Sequence, residues 1–390
     1  MTSIRELYLR LCMSSVFKNV LDKPLFKHFI AYSKSGSTDE KIRAYASFVS
    51  EIYSNRSSLS ELVFRLVCED ENVYIKARAH GEKITDEVKI ALTRELDAFK
   101  DFSLVTPEIF SDDMGVDFVS PYKTEKIDFV NEYENRVSNV KTYGYGIFSS
   151  YRMFRLSDDK VIEPIISSDK TSVDKFVGYE NEREQVVANT VAFIEGRPAA
   201  NTLLCGDAGT GKSSTVKAVA NHFFDRGIRL IELRKDQLCH LPYVMGMISD
   251  NPLKFIIFID DLAFNKSDDN FSMLKAALEG SASAKAENAV IYATSNRRHI
   301  IKETFSDREG NEVHVNDTLQ ESISLSERFG LVVLFQKPNK ALYLDIVHEL
   351  AKRNNVNMSI TELDVKAEAF ALRKGNRSAR CAEQFIDSLL

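Results

Sequence analysis

Cysteine is scarce. Five thiols, Cys12, Cys68, Cys205, Cys239 and Cys381, are scattered over 390 residues, odd in number and never spaced C-x-x-C. That pattern excludes a disulfide framework and a zinc site built on paired cysteines, and it fits a reducing compartment. Long apolar runs are missing as well; none approaches the roughly 18 residues that a membrane-crossing helix needs. The start, "MTSIRELYLRLCMSSVF", is interrupted by Arg5, Glu6 and Arg10, so it lacks the apolar centre of a signal peptide. A cytoplasmic protein without a membrane partner is the expectation. Nor is positive charge in excess. A formal net charge of −6 and a pI near 5.8 give no chain-wide footprint for nucleic acid, although a local basic patch stays open.

Glycine is rare at first and common later. Only Gly36, Gly81 and Gly115 precede Tyr143. The glycine-poor region is full of helix-period stripes. Ile42, Tyr45, Val49 and Ile52 share a face behind a capping-box start, Ser37-x-x-Glu40. Leu59, Leu62, Val63 and Leu66 repeat the spacing, as do Val88, Leu92, Leu96 and Phe99 behind Thr85, and Ile127, Val130, Val137 and Val140. Residues 1–142 read as a mainly helical domain whose stripes are packing faces. Residues 143–173, rich in glycine, aromatics and turn formers and broken by Pro164, read as a connector.

From residue 174 the pattern alternates. Short apolar strands are expected at Asn201–Cys205, Ile228–Leu233, Phe255–Asp260, Ala289–Thr294 and Leu331–Phe335, with helices such as Ser213–Phe224 between most of them. Strand–helix alternation predicts an α/β parallel sheet covered on both faces. After Pro338 the chain reads as helical, so residues 174–337 form the core and 338–390 a helical lid.

The stretch "GDAGTGKSS" matches G-x-x-x-x-G-K-[ST], after a strand and at the opening of a helix. Gly206, Asp207, Ala208, Gly209, Thr210, Gly211, Lys212, Ser213 and Ser214 would cradle a nucleotide's phosphates. Glycines let the loop curl so that several N–H groups converge, and the helix N-terminus adds partial positive charge. Lys212 would reach the β- and γ-phosphates, and the Ser213 hydroxyl would ligate Mg2+. In "FIIFIDDLAF", the apolar strand places Asp260 at the edge facing the ligand crevice, where it can hold Mg2+ directly or through water.

Further segments carry a resemblance to AAA+ ATPases over roughly residues 174–390. "FVGYENE" resembles the element that packs against adenine, with Val177 and Gly178 at the contact. "VIYATSN" resembles a sensor-1 strand, making Asn296 the residue that orients the attacking water. "LSERFGL" resembles the arginine-finger motif, and "GNRSARCAEQFI" a sensor-2 helix. On that resemblance Arg328 reaches a neighbouring subunit's γ-phosphate, and Arg380, or Arg377 as second choice, serves as sensor 2. The wording of "NTLLCGDAGTGKSS", "FIIFIDDLAF", "SNRRHI" and "SLSERFGL" is similar to the bacterial AAA-type family filed as domain of unknown function 815, and "YGYGIFSSY" extends the likeness upstream to about Tyr143. The implied fold is a P-loop NTPase of AAA+ type, a three-layer core with a C-terminal helical lid beside the helical N-terminal domain. The implied ligands are ATP or ADP and Mg2+, and an arginine acting in trans implies an ATP-dependent homo-oligomeric ring. The residues alone allow plainer roles: a surface salt bridge for Arg328, a turn residue for Asn296, a helix-surface arginine for Arg380.

Two features point in different directions. "YVMG", Tyr243 to Gly246, resembles the loop with which protein-threading AAA+ rings grip a polypeptide. It also fits a short helix opening near Pro242, with Tyr243 and Met247 on the inner face, because Tyr243 lies only 12 positions before Phe255. Arg297, Arg298 and His299, near Lys302, are either a DNA-phosphate patch or a solvated loop, and the acidic total charge favours the loop. His240 and His314 have no partners at metal-ligand spacing.

Asp261 follows Asp260 where most AAA+ proteins carry a glutamate, one methylene longer. Asp261 is either a catalytic carboxylate that polarises the attacking water or a helix N-cap or turn carboxylate. As a catalyst it is either compensated by a closer approach or the cause of slow hydrolysis, since shifts of about 1 Å cost on the order of 100-fold in rate. The expectation is an Mg2+-dependent ATPase acting on an unidentified macromolecular partner. A nucleotide-controlled binding module, a DNA-directed loader and a small-molecule kinase are the alternatives, the kinase being the one that needs no sensor-1 or finger motif.

Overall fold

The computed structural model describes residues 3–166, 172–173, 176–262, 269–278, 286–296 and 328–390. The chain divides into two units, Met1–Ser150 and Tyr151–Leu390.

The first unit is helical. The expected stripes lie on the helices Thr38–Ser54, Leu59–Cys68 and Asp86–Ser103, where Tyr45, Val49, Ile52, Leu62, Leu96 and Phe99 are buried. Ser37 caps the first of these, its hydroxyl accepting from Glu40 N. The fourth stripe does not form one helix. Asn139 separates Phe129–Ser138 from the short Val140–Tyr143, and its amide donates back to Asn135 O at 2.9 Å, a local bond that competes with helix propagation. Aromatic rings fill the interior, with Phe29 and Phe102 at 4.6 Å between centroids. A buried carboxylate, Glu95, accepts the backbone N–H groups of Ser15 at 2.7 Å and Phe17 at 2.9 Å, a structural role for that charge.

The second unit contains a seven-stranded sheet in the order β2-β1-β4-β5-β6-β3-β7. The strands are β1 (Met153–Leu156), β2 (Ile162–Pro164), β3 (Thr202–Gly206), β4 (Ile228–Leu233), β5 (Lys254–Ile259), β6 (Ala289–Ser295) and β7 (Leu331–Phe335). All neighbours are parallel except β1 and β2. The five strands β3–β7 are the expected ones within a residue. The segment read as a connector supplies β1 and β2, and β2 ends in Pro164 at the sheet edge, where a missing N–H costs no ladder bond. Phe255 to Ile259 are all 0% exposed, so both faces of β5 are covered and each side chain contributes about 1.5–3 kcal/mol.

Tyr179, Val186, Phe193, Val216 and Val219 pack on one face of the sheet. The helices Lys340–Arg353, Ile360–Lys374 and Ala379–Asp387 form a smaller cluster of their own around Tyr343, Val347, Ala367 and Phe385. This is the three-layer P-loop core with a C-terminal helical lid that the AAA+ resemblance implies. Parallel register aligns the ends of β3, β5 and β6 at one edge, with Leu204 beside Thr294 and Ile259 beside Ala293. The site lies there.

The short helix at Pro242 forms, over Leu241–Ile248, but its inner face corrects the expectation. Leu241, Val244, Met245 and Ile248 are buried, whereas Tyr243 and Met247 are 51% and 46% exposed. Spacing of i, i+3, i+4 and i+7 from Leu241 sets the apolar face, and Tyr243 and Met247 fall outside it.

Candidate active site

Strand β3 runs directly into the phosphate-loop motif. Gly206, its last residue, pairs with Phe335 and has φ of 139°; a Cβ there would lie 1.9 Å from the Phe335 carbonyl oxygen. Only glycine fits both the torsion and the contact. Beyond it the loop closes on itself. Thr210 Oγ1 donates to Asp207 O at 2.9 Å, and Thr215 Oγ1 donates to Gly211 O at 2.9 Å. Gly211 then caps the helix Lys212–His222, whose first residues line the cavity described below and whose first-turn amides have no partner within the helix.

Lys212 is buried, at 6% exposure. Its Nζ donates to Gly206 O at 2.9 Å, to Asp207 O at 2.7 Å and to Asn296 Oδ1 at 3.0 Å. Burial holds its ammonium below the ordinary lysine range, opposed by the nearby Asp207, Asp261, Cys205 and Asp260. A desolvated cation attracts an anion with several oxygens, and because its three N–H donors are all engaged by protein oxygens, an incoming phosphate exchanges with at least one of them.

The two aspartates stand at the end of β5 with different partners. Asp260 Oδ1 accepts the hydroxyls of Ser213 and Thr294, each at 2.6 Å, and the Asp261 N–H at 3.2 Å. Asp261 has a left-handed backbone, φ 51°, rare for a non-glycine residue. From that conformation its Oδ1 accepts Asn296 Nδ2 at 2.7 Å. Asn296 therefore bridges Lys212 and Asp261 through the two ends of one amide. Asp260 and Ser213 form a hard-oxygen donor pair, the type that suits Mg2+, which takes one or two protein oxygens and completes its shell with phosphate and water.

These groups line a cavity of ≈ 310 Å³. Ala208 to Thr215 form its floor; Asp260, Asp261, Thr294 and Asn296 form one wall. Phe176, Val177, Tyr179 and Arg183 form another, and Ala379, Arg380 and Glu383 enter from the lid. Val177 also packs against the lid cluster. The lid touches the loop directly: Arg380 N donates to Gly209 O at 3.3 Å, and a Cβ on Gly209 would meet Ser378 Oγ at 3.1 Å. The two candidate lid arginines separate here. Arg380 lines the cavity, while Arg377 makes a two-pronged bond to Glu368 at 3.0 and 2.8 Å.

Not every expected residue lines the cavity. Gly206 and Asp207 lie behind it, with Asp207 Oδ2 accepting Lys337 N at 3.1 Å. Gly178 stands behind Val177 and accepts Arg183 Nη1 through its carbonyl. Arg328, half-buried just before β7, is outside the lining too. Arg297, Arg298, His299, Lys302 and His314 lie outside the described residues. Arg183 and Thr294 were not legible as site residues. Arg183 is a buried cation whose guanidinium stands 5.8 Å from the Phe176 ring, and burial lowers its pKa against the pull of Glu180.

The model of a family described as "Protein of unknown function (DUF815)" matches residues 149–390, more than half of the chain. Two solved structures of Thermotoga maritima RuvB, one described as the Holliday junction branch migration motor and one a point variant, each align at 14% identity with a TM-score of 0.35. Each alignment covers 57% of this chain and 72% of that one. No curated protein matches the chain.

Proposed function

The chain belongs to the DUF815 family, and from that premise we propose that it is an Mg2+-dependent ATPase of AAA+ type that couples ATP binding and hydrolysis to a conformational change of a macromolecular partner. The observation that carries this reading is the continuous hydrogen-bonded chain Lys212–Asn296–Asp261 beside the Ser213–Asp260 pair in one cavity.

ATP would lie between the core and the lid, its base against Val177 and its triphosphate over Gly206–Ser214. Lys212 and the loop amides hold the β- and γ-phosphates. Ser213 and Asp260 would hold Mg2+, which neutralises phosphate charge when bound. Asp261 orients a water and accepts its proton as the water oxygen bonds to the γ-phosphorus. The bond from that phosphorus to the β,γ-bridging oxygen breaks, and the electron pair leaves with ADP, giving ADP and inorganic phosphate. Asn296 fixes the Asp261 carboxylate, Arg380 contributes positive charge from the lid, and Arg328 would act on the ATP of a neighbouring copy in a homo-oligomeric ring.

A second reading, an ATP-controlled binding module with slow hydrolysis, is favoured by one observation: the short Asp261 side chain is already engaged by Asn296. Phosphate release separates the two. Wild-type protein should turn over ATP, and Asp261→Asn should bind ATP, stop releasing phosphate and retain its partner in a pulldown. Sizing in ATP tests the trans arginine. A protein that stays monomeric at every concentration overturns the role of Arg328.

A further inference from the structure

The Thr294 hydroxyl is shared between the two aspartates. Its Oγ1 donates to Asp260 Oδ1 at 2.6 Å and accepts the Asp261 N–H at 3.0 Å. The same residue's carbonyl accepts Leu262 N at 2.7 Å. Thr294 therefore holds three successive residues as the chain leaves β5, and it is buried, at 2% exposure. The parallel register puts it there: Ile259 lies beside Ala293, so the next residue on each strand brings Asp260 to Thr294.

Both contacts matter for geometry. Oδ1 of Asp260 accepts three hydrogen bonds, and Oδ2 accepts none among the described residues. Anchoring one oxygen fixes the carboxylate plane and leaves Oδ2 as the oxygen to offer a cation. The second contact helps to pin Asp261 in its left-handed conformation, which costs a non-glycine residue about 1–3 kcal/mol and persists only where its surroundings offset that cost. One hydroxyl can serve both because a threonine hydroxyl donates once and accepts as well.

We propose that Thr294 is the positioning residue for both acids, orienting Asp260 toward the metal and holding Asp261 where its carboxylate meets Asn296. This rests on the ATPase reading and extends it to a cavity-wall residue whose hydroxyl is engaged by the two aspartates. Metal-orienting partners of this kind typically contribute 10- to 100-fold in metal affinity or activity.

The test compares Thr294→Val, which keeps the β-branched shape and removes the hydroxyl, with Thr294→Ser, which keeps the hydroxyl. The first readout needs no turnover: Mg2+ is titrated into protein with a fluorescent ADP analogue, and the midpoint of metal-dependent binding is recorded. The second is phosphate release. Thr294→Val should raise the Mg2+ midpoint and lower kcat, each about tenfold or more. Its metal-free affinity for the analogue should stay within about threefold, and Thr294→Ser should match wild type. If Thr294→Val does not fold, Thr294→Ala against Thr294→Ser isolates the same oxygen. A folded hydroxyl-free variant with the wild-type Mg2+ midpoint and kcat overturns the proposal while wild-type turnover leaves the ATPase reading standing. A wild-type protein that binds neither the analogue nor ATP removes that reading instead.

Discussion

Asn296 and Asp261 are joined side chain to side chain, Nδ2 donating to Oδ1 at 2.7 Å. The bond bears on how an acid one methylene shorter than glutamate can serve at this position. The left-handed backbone at Asp261 turns its side chain toward β6, and Asn296 meets it there. Asp261→Asn should leave ATP affinity within about threefold and lower turnover by 100-fold or more, the range for a lost general base. Asp261→Glu should keep ATP binding and change turnover, because the added methylene displaces the carboxylate from Asn296. Unaltered phosphate release in both variants would make Asp261 a turn residue.

The lid arginines should behave differently. Arg377 is committed to Glu368, whose carboxyl it holds below the ordinary range. Arg380 lines the cavity. Arg377→Ala should lower Tm slightly with little effect on ATP turnover, and Arg380→Ala should do the reverse. Thermal melts and phosphate release on both proteins decide it, and an exchange of the two phenotypes would move the lid's contribution to Arg377.

Gly206→Ala tests the entry to the phosphate loop. The new methyl would meet a backbone oxygen that parallel pairing holds in place, at a torsion that alanine avoids. Loss on the order of 3 kcal/mol is expected, visible as a lower urea midpoint. An unchanged midpoint would show that β7 gives way at Phe335.

How much of this was legible depended on whether the signal was local. The phosphate loop and the apolar run ahead of Asp260 are contiguous patterns, and the structure brings Ala208–Ser214 and Asp260 into one cavity. Thr294 is an ordinary strand residue by type, and its meaning comes from Asp260, 34 positions away in the chain. Arg183 reads as one more charge on a helix until the fold buries it. Strands of four and three residues, β1 and β2, carry too little periodicity to stand out beside Pro164. In the helix at Pro242, Tyr243 and Met247 share a face at i, i+4, but the phase that meets the core is the one that buries Leu241, Val244, Met245 and Ile248.

In the first unit, burial pushes the Asp70 carboxyl up to about 6, although Asn72, Asn19 and Lys23 pull it down, and its buried Oδ2 has no hydrogen-bond partner among the described residues. A raised acid pKa means that the folded state holds the proton more tightly than the unfolded one. Stability therefore falls as pH rises from about 4, the unfolded value, to about 6, and the penalty persists above that. Asp70→Asn should remove this slope, gaining on the order of 2 kcal/mol relative to wild type between pH 4 and pH 7. Urea unfolding at stepped pH measures it. Parallel curves for the two proteins would place the Asp70 carboxyl in the ordinary range.

The central claim is that the Lys212 cavity binds ATP. Calorimetric titration of Mg·ATP into wild-type protein and Lys212→Ala tests it most directly, because Lys212 supplies the buried cation of the phosphate loop. Saturable binding by wild type and none by the folded variant is the predicted result. No binding by wild type, or equal affinity in the two proteins, would contradict it.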